Sequence, residues 1–530
     1  MVNPQAVQLA RQRAGQLNQA RVRKNIKQSV PPPIGGWNTR DNIGNMPPTD
    51  AFELTNMVPD VGGVNLLRGY ESWSTGMTGQ IQAVMGFDDK SVEDLVVSDS
   101  TGTLYRATET GAATSLFDPT TDALNPPSGN GDYSFQMFND RLIMTNGRFV
   151  PMAGRRSDDS ASQIDTVDLL ELTHSTVDPK SLEGVFAFKD RLFFWQRDSQ
   201  DFLYLPIEQF QGALTLFPLS RVAQKGGRLV AMTSWTLDGG DGPDDLACFI
   251  MSSGEVLVYA GNDPARSSAW ALVNRYKIGR PINRHAVEQF GGQVLVATDI
   301  DYVTLPGAFV KAGFQDPTKL SGAAKENVSK HKTKDGWQVI FSPSAGWLFV
   351  NAPQGGNTFH QHVINLRTGA AFKIEGWPAR VFGESAGQLY FGDTSGTVYR
   401  ALTTKSNAGA NIDASIKQAF SDLSSQDDKR IDYYRVMMTA DGTIAPQTGV
   451  MYDFEAIPKT RQSITLSNNL GADWGDDWGT DWATPSKARF EWQSGDGKGT
   501  SVAMELQLST KDQDVTWFRT DYVGHKAGNL

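Results

Sequence analysis

A degenerate internal repeat of about 50 residues constrains this chain more than any other feature. FNDRLIM begins at Phe138, and FKDRLFF begins at Phe188, 50 residues later. A third copy, FGGQVLV, begins at Phe290, about two periods further on. A second phrase brackets the set: SDSTGTLYRA runs over Ser98–Ala107 and GDTSGTVYRA over Gly392–Ala401. Self-similarity at a fixed period of this size marks solenoids, propellers and arrays. The units read strand, turn, strand, so the expected class is all-β, with a β-propeller of six or seven blades.

The spacing supports that reading. Candidate inner-strand anchors are Leu95, Leu142, Leu192, Leu246, Val294, Leu348 and Leu389, on average 49 residues apart. A blade of four short strands and four connections needs roughly 40–50 residues. Gly102 and Gly396 can supply the positive φ of tight hairpins in the two bracketing phrases. Because the phrases sit at opposite ends of the set, the ring is expected to close with strands from both ends. Closure leaves only short, protected edges. Phe138 and Phe188 are expected between blades, with Asp140, Arg141, Asp190 and Arg191 at solvated turns.

Four regions follow: a basic arm over 1–33, an N-terminal platform segment over 34–80, the propeller over 81–405 and a C-terminal sandwich or platform over 406–530. Thr49 or Asp50 would cap a short helix over Ala51–Met57, and VNLLRGY reads as a strand. Beyond 406, IDYYRVMM, TGVMYDFE, ARFEWQ, SVAMELQLST and VTWFRTDYVG alternate as strands of an antiparallel sandwich.

Charge is divided unevenly. Residues 1–40 contain no Asp or Glu, yet carry Arg11, Arg13, Arg21, Arg23, Lys24, Lys27 and Arg40. The net charge of −10 therefore becomes −17 over the remainder. An acidic body with a basic arm is an interaction pattern. Arg11, Arg13, Arg21, Arg23, Lys24 and Lys27 suit docking on an acidic neighbour or contact with DNA phosphates. The arm lacks aromatics up to residue 36, which argues against base stacking. A tail that stays disordered is the third reading.

No catalytic constellation is legible. Nucleophile elbows, P-loops and dinucleotide fingerprints are absent from the sequence. Cys248 is the single cysteine and lies in an apolar stretch, so it reads as an inert buried thiol. His360 and His362 would share a strand face, but no third metal ligand lies nearby. The acid-rich DGGDGPDD, Asp238–Asp245, reads as a solvated loop. DWGDDWGTDW carries Trp474, Trp478 and Trp482 and reads as an interface or self-packing loop, a plain hairpin, or a sugar or metal site. The calcium-loop order is absent from it. Catalytic residues, cofactors and metals are all expected to be none. No run of 18 apolar residues suggests a membrane span, and the N-terminus lacks the apolar core of a signal peptide.

The segment from Pro31 to Trp73 resembles the opening of tail nozzle proteins of short-tailed bacteriophages, also called tail tubular protein B or packaged-DNA stabilisation protein. The matching pieces are Gly35–Gly36, Asn38–Asp41, Pro47–Ala51 and Val64–Gly69. The Asp-Trp tract and the strands VAMELQLST and WFRTDY also resemble that family. The arm before Pro31 has no counterpart in it. The resemblance implies a structural role without catalysis. It further implies a homo-hexameric ring at the distal tail tube, a platform built by the N- and C-terminal segments, and a peripheral propeller. The implied partners are a tail adaptor or tube protein, tail fibres or a needle, and transient, sequence-independent contact with genomic DNA. The implied location is the virion tail, after assembly in the host cytoplasm. The alternative is a propeller that binds or hydrolyses surface glycans, with carboxylates and aromatics clustered at its axis.

Overall fold

Each repeat begins as an inner strand, a tight turn and a second strand. The computed structural model describes residues 25–89, 92–109, 111–119, 131–157, 163–238, 243–305, 320–463, 465 and 491–526. Asn139 and Asp140 have φ of 49° and 57°, Lys189 and Asp190 46° and 57°, and Gly291 and Gly292 50° and 77°. Positive φ at both central residues matches the right-handed twist of the flanking strands. Ala386 and Gly387, at 50° and 82°, make a fourth such turn that the sequence reading missed.

Six sheets stand alone as blades around an axis. Their inner strands are Ile81–Asp89, Ser134–Phe138, Leu182–Phe188, Leu229–Asp238, Val287–Phe290 and Val381–Ser385. A further sector lies between the fifth and sixth of these, with inner strand Gln338–Ser342. Its four strands are one end of a ten-stranded sheet. Adjacent inner strands touch all the way round. The seven anchors fall on equivalent strands and are all buried. They occupy the second strand of each sheet, not the innermost, because the turn precedes them.

The ring closes as a shared blade. Val381–Ser385, Gln388–Gly392 and Val398–Thr404 come from the end of the repeat region, and Gly69–Thr75 adds the outer strand, with Val398 opposite Ser74. Asp99 and Asp393 organise the two bracketing hairpins alike. The Asp99 carboxylate accepts from the Thr101 N–H at 2.9 Å and from Tyr105 Oη at 3.1 Å. That of Asp393 accepts from the Ser395 N–H at 2.8 Å and from Tyr399 Oη at 3.3 Å. Gly102 and Gly396 do carry positive φ, 90° and 86°. A Cβ on Gly396 would fall 2.2 Å from the Met77 carbonyl oxygen. Phe138 packs with Leu182, Val185 and Leu192 of the next blade, and Phe188 with Met232 and Phe249 of the blade after.

The chain ends build a platform together. Asp50–Thr55 pairs with Ile412–Gln418, with Gly36–Trp37 at Asp50 and Ala51, and, through Thr55 opposite Lys373 alone, with Ala371–Ile374 of the ring. The ten-stranded sheet thus passes from a propeller sector into the platform at the Thr55–Lys373 pair. A second sheet joins Asn25–Val30, Met57–Asp60, Gly63–Leu66, Lys429–Ala440 and Val515–Lys526. One hydrophobic core lies between them, including Leu54, Ile416, Leu506, Tyr434 and Trp517. Asn56 pins the junction, its side-chain amide donating to the Glu375 and Asp413 carbonyls at 3.1 and 2.7 Å.

One expectation is corrected here and a second narrowed. Ala51–Met57 is not helical: Asp50–Thr55 is a central strand, because its flanking strands offer ladder partners and burial for Ala51 and Leu54. The C-terminal strands form no sandwich by themselves; N-terminal strands pair within both sheets, which is the platform expected from the two chain ends together. VNLLRGY is divided at Leu67–Arg68, where the chain passes from platform to propeller. The helix Ser321–His331 was not anticipated.

Candidate functional site

The inner strands enclose a cavity of about 440 Å³ on the propeller axis. Gln136, Phe186 and Glu288 line it, each two residues before the phenylalanine of its repeat. Phe135, Trp195, Gln289, Phe341 and Glu384 complete much of the wall. Phe135 is 40% exposed, an unusual state for an aromatic ring inside a ring of strands.

Trp195 reaches this wall from a second strand. It lies opposite Gly184 on the inner strand, where a Cβ would fall 2.0 Å from its indole ring. Glycine there makes room for the ring. The Trp195 Nε1–H is buried and has no protein acceptor. Leaving such a donor unpaired costs about 1–3 kcal/mol.

Glu288 faces the cavity with protein around it. Its carboxylate accepts one long hydrogen bond, 3.4 Å, from the Phe341 N–H. Burial pushes its pKa up to about 8, against the Phe341 N–H and with the Glu384 charge adding to the rise. The acid is therefore largely protonated at neutral pH. Unfolding returns it to the ordinary value of 4.5, so between those values the unfolded chain holds fewer protons. Stability then falls as pH rises from about 4.5 to 8. Glu288→Gln is expected to gain stability relative to the unsubstituted chain at pH 8, with little difference at pH 4. Urea titrations at both pH values check this; parallel curves at both would contradict it.

An ion-pair chain guards one end of the cavity. Arg284 lies 3.0 Å from Asp132 and 3.5 Å from Glu183, and Arg228 lies 3.1 Å from Glu183. The His285 ring meets Asp132 at 2.6 Å. Burial opposes ionisation of Asp132, but the charges and hydrogen bonds of Arg284 and His285 outweigh it. They hold its carboxyl well below the usual range. Sequence reading placed none of these residues at a site. The register of the repeat, two residues before each phenylalanine, could have found Gln136, Phe186 and Glu288; it points to none of the ion-pair residues.

The residues singled out from sequence lie elsewhere. Arg11, Arg13, Arg21, Arg23 and Lys24 lie outside the described residues, as do Trp474, Trp478 and Trp482. Lys27 is exposed on Asn25–Val30, a platform strand, opposite Val523. The tract of three tryptophans joins Gln462–Ser463 of the ten-stranded sheet to Gln493–Ser494 of the second sheet. Of the acid-rich Asp238–Asp245, residues 239–242 lie outside the described residues; Asp238 and Pro243–Asp245 are the ends of two paired strands, and Asp245 accepts from Thr236 Oγ1 at 2.7 Å.

His360 and His362 do not act as a pair. His360 lies 3.6 Å from Glu375. His362 is fully buried, 3.0 Å from Tyr302 Oη and 3.3 Å from Asn327 Nδ2. Burial, with the charges of His360 and Lys373, lowers its pKa to about 3. Among the described residues no three His, Cys, Asp or Glu side chains gather as a metal site. Cys248 is buried, and burial pushes its thiol up to about 12, too high for a thiolate nucleophile. Arg191 differs from the solvated turn expected. It donates to the Leu205 carbonyl at 3.0 Å and lies over the Tyr204 ring. No helix among the described residues is long and apolar enough to cross a membrane.

The architecture defines a β-propeller joined to a two-sheet platform. No family model matches the chain, and no curated protein matches it. Among solved structures it is similar to the β-propeller domain of Cps50 (Swd1) from Myceliophteria thermophila, at 13% identity and a TM-score of 0.41. That match covers 63% of this chain and 100% of the other. BBS1N, solved in complex with ARL6DN, is 10% identical with a TM-score of 0.38, covering 65% and 100%. Raptor from Chaetomium thermophilum is 14% identical with a TM-score of 0.39, covering 64% and 30%.

Proposed function

We propose that the chain is a structural subunit of a short phage tail, a nozzle protein that assembles with copies of itself into a ring. The ring sits at the distal tail tube of the virion, retains packaged DNA and conducts it on ejection, without catalysis. A tail adaptor or tube protein would dock above it, and tail fibres or a needle nearby. The sequence resemblance from Pro31 to Trp73 gives the reading its direction. The observation that carries it is the ten-stranded sheet shared by propeller and platform. Force applied to the platform would pass into the propeller through the Thr55–Lys373 pair and the Asn56 hydrogen bonds to Lys373 and Glu375. That suits a load-bearing ring subunit better than a hinged enzyme. An acidic body, −17 outside residues 1–40, would also repel DNA phosphates and let a genome slide.

The second platform sheet offers a face for neighbouring copies. Tyr433 is 53% exposed, Trp492 43% and Phe518 42%. Arg435 stacks over the Trp492 ring at 4.6 Å and bonds Asp521 at 2.8 Å. Exposed aromatics beside arginines are the composition of interface cores. Head-to-tail contacts between such faces close a ring. Tyr433→Asp and Phe518→Asp are expected to fold normally yet drop at least tenfold in abundance in purified particles. Immunoblotting of particles against the unchanged melting temperature reads this. Normal incorporation of both variants would move the contact off this face.

A further inference from the structure

We propose that the outer face of the ten-stranded sheet is the second half of a head-to-tail contact, occupied by the Tyr433–Phe518 face of a neighbouring copy of this chain. The inference rests on the ring reading above and names the surface that completes it. A head-to-tail contact joins two different patches, so each copy must present both. Alternation along the strands shows where the second patch lies. Val450, Val502 and Met504 point into the platform core, so Met451 and Ala503 beside them point out of it. There they gather with Phe420, Ile43 and Phe52 in a separate apolar cluster. The Phe420 ring stacks on Phe52 at 6.2 Å and meets Phe454 at 4.9 Å. Phe454 is 44% exposed, and Ile457, three residues on, is 62% exposed. Phe454 has a φ of 67°, a conformation that bulky side chains rarely adopt. Asp453 holds that turn by accepting from the Thr500 and Ser501 N–H groups at 2.8 and 3.1 Å.

The second sheet supplies the counterpart. Tyr434 and Trp517 fill the core, while Tyr433 and Phe518 next to them point outward. One sandwich thus carries exposed aromatic patches on its two opposite faces, the arrangement that a subunit with a neighbour on each side needs. The charges of the two faces also match. Arg430, Arg435 and Arg519 stand on the Tyr433 face, and among the described residues only Asp432 and Asp521 pair with them. On the ten-stranded sheet Glu53, Glu375 and Asp413 line a groove with Lys373, and Lys417 pairs with Glu53. Arginines outnumber their carboxylates on one face, and carboxylates outnumber their lysines on the other. A two-fold contact of either patch with itself would set like charges together, which disfavours it.

Phe454→Asp and Ile457→Asp in the full chain test it. Both side chains are exposed, so melting temperatures are expected to stay unchanged, and the second variant protects the test if the first folds poorly. Each should fall about tenfold or more in abundance in purified particles, as expected of Phe518→Asp. Sedimentation supplies the signature of two different faces, at concentrations where the parent chain assembles. Phe454→Asp and Phe518→Asp should each stay monomeric alone, and their equal mixture should form dimers and nothing larger, because the mixture holds one intact pair of faces. Normal abundance of Phe454→Asp and Ile457→Asp beside a loss of Phe518→Asp would overturn this inference and leave the ring reading standing. Normal abundance of all three would remove the ring contact as well. Dimers formed by Phe454→Asp alone would mean a two-fold contact through the other face, and would also overturn it.

Discussion

Gly383→Val lowers the stability of the chain by about 3 kcal/mol, the upper end of what overpacking usually costs. The reason is the seam where the last blade meets the first. A Cβ on Gly383 would lie 2.4 Å from the Val84 carbonyl oxygen, and one on Gly86 would lie 2.3 Å from that of Glu384. Both obstacles are backbone atoms, so no rotamer change relieves them. The two inner strands must separate, and separation opens the ring at the point where it closes. Gly383 does not need positive φ, so the effect is one of space alone. Gly62→Ala is the matched control, because nothing lies within 4 Å of its Cβ position. It should stay within about 0.5 kcal/mol of the parent. Urea midpoints of the two variants provide the comparison, and equal midpoints would mean that the seam is not tight.

Trp517→Ala is expected to cost about 3–5 kcal/mol, the range for emptying a large buried aromatic site. Trp517 is fully buried in the platform core, and its Nε1–H donates to the Arg519 carbonyl at 3.1 Å. The size of the loss is only half of the result. Because one sheet spans platform and propeller, the variant should still unfold in a single cooperative transition at a lower temperature. Calorimetry would show this directly. Two separated transitions, with the propeller melting where it did before, would mean that the shared sheet does not couple the parts.

The sequence carried the period of this fold better than its edges. Seven anchor residues fell on equivalent strands because each lies shortly after a turn whose chemistry is local. Asn139–Asp140 and Gly291–Gly292 announce such turns with residues that tolerate positive φ. Asp50–Thr55 shows what local reading loses. Its capping residues and short apolar run resemble a helix start, and the partner strand Ile412–Gln418, more than 300 residues away, with the short Gly36–Trp37, makes it a central strand. Ring closure by Gly69–Thr75 is non-local in the same way.

The axis was hidden for a different reason. Glu288 sits in Val287–Phe290, where the polar pair Glu288–Gln289 between Val287 and Phe290 reads as a solvated stretch of strand. In a propeller such a stretch of an innermost strand faces the central cavity. The role of Trp195 depends on Gly184 opposite, which no spacing rule connects to it. The basic residues chosen from charge were found by a signal that reports partners, not fold, and only Lys27 among them has a described position.

Electron microscopy of native particles from the source organism tests the central claim most directly. The proposed function predicts a ring of six copies around a channel wide enough for duplex DNA, platforms side by side and propellers outward. Particles that lack the chain, or carry it only as a peripheral spike, would contradict that account and leave the axial cavity as the place to look for its work.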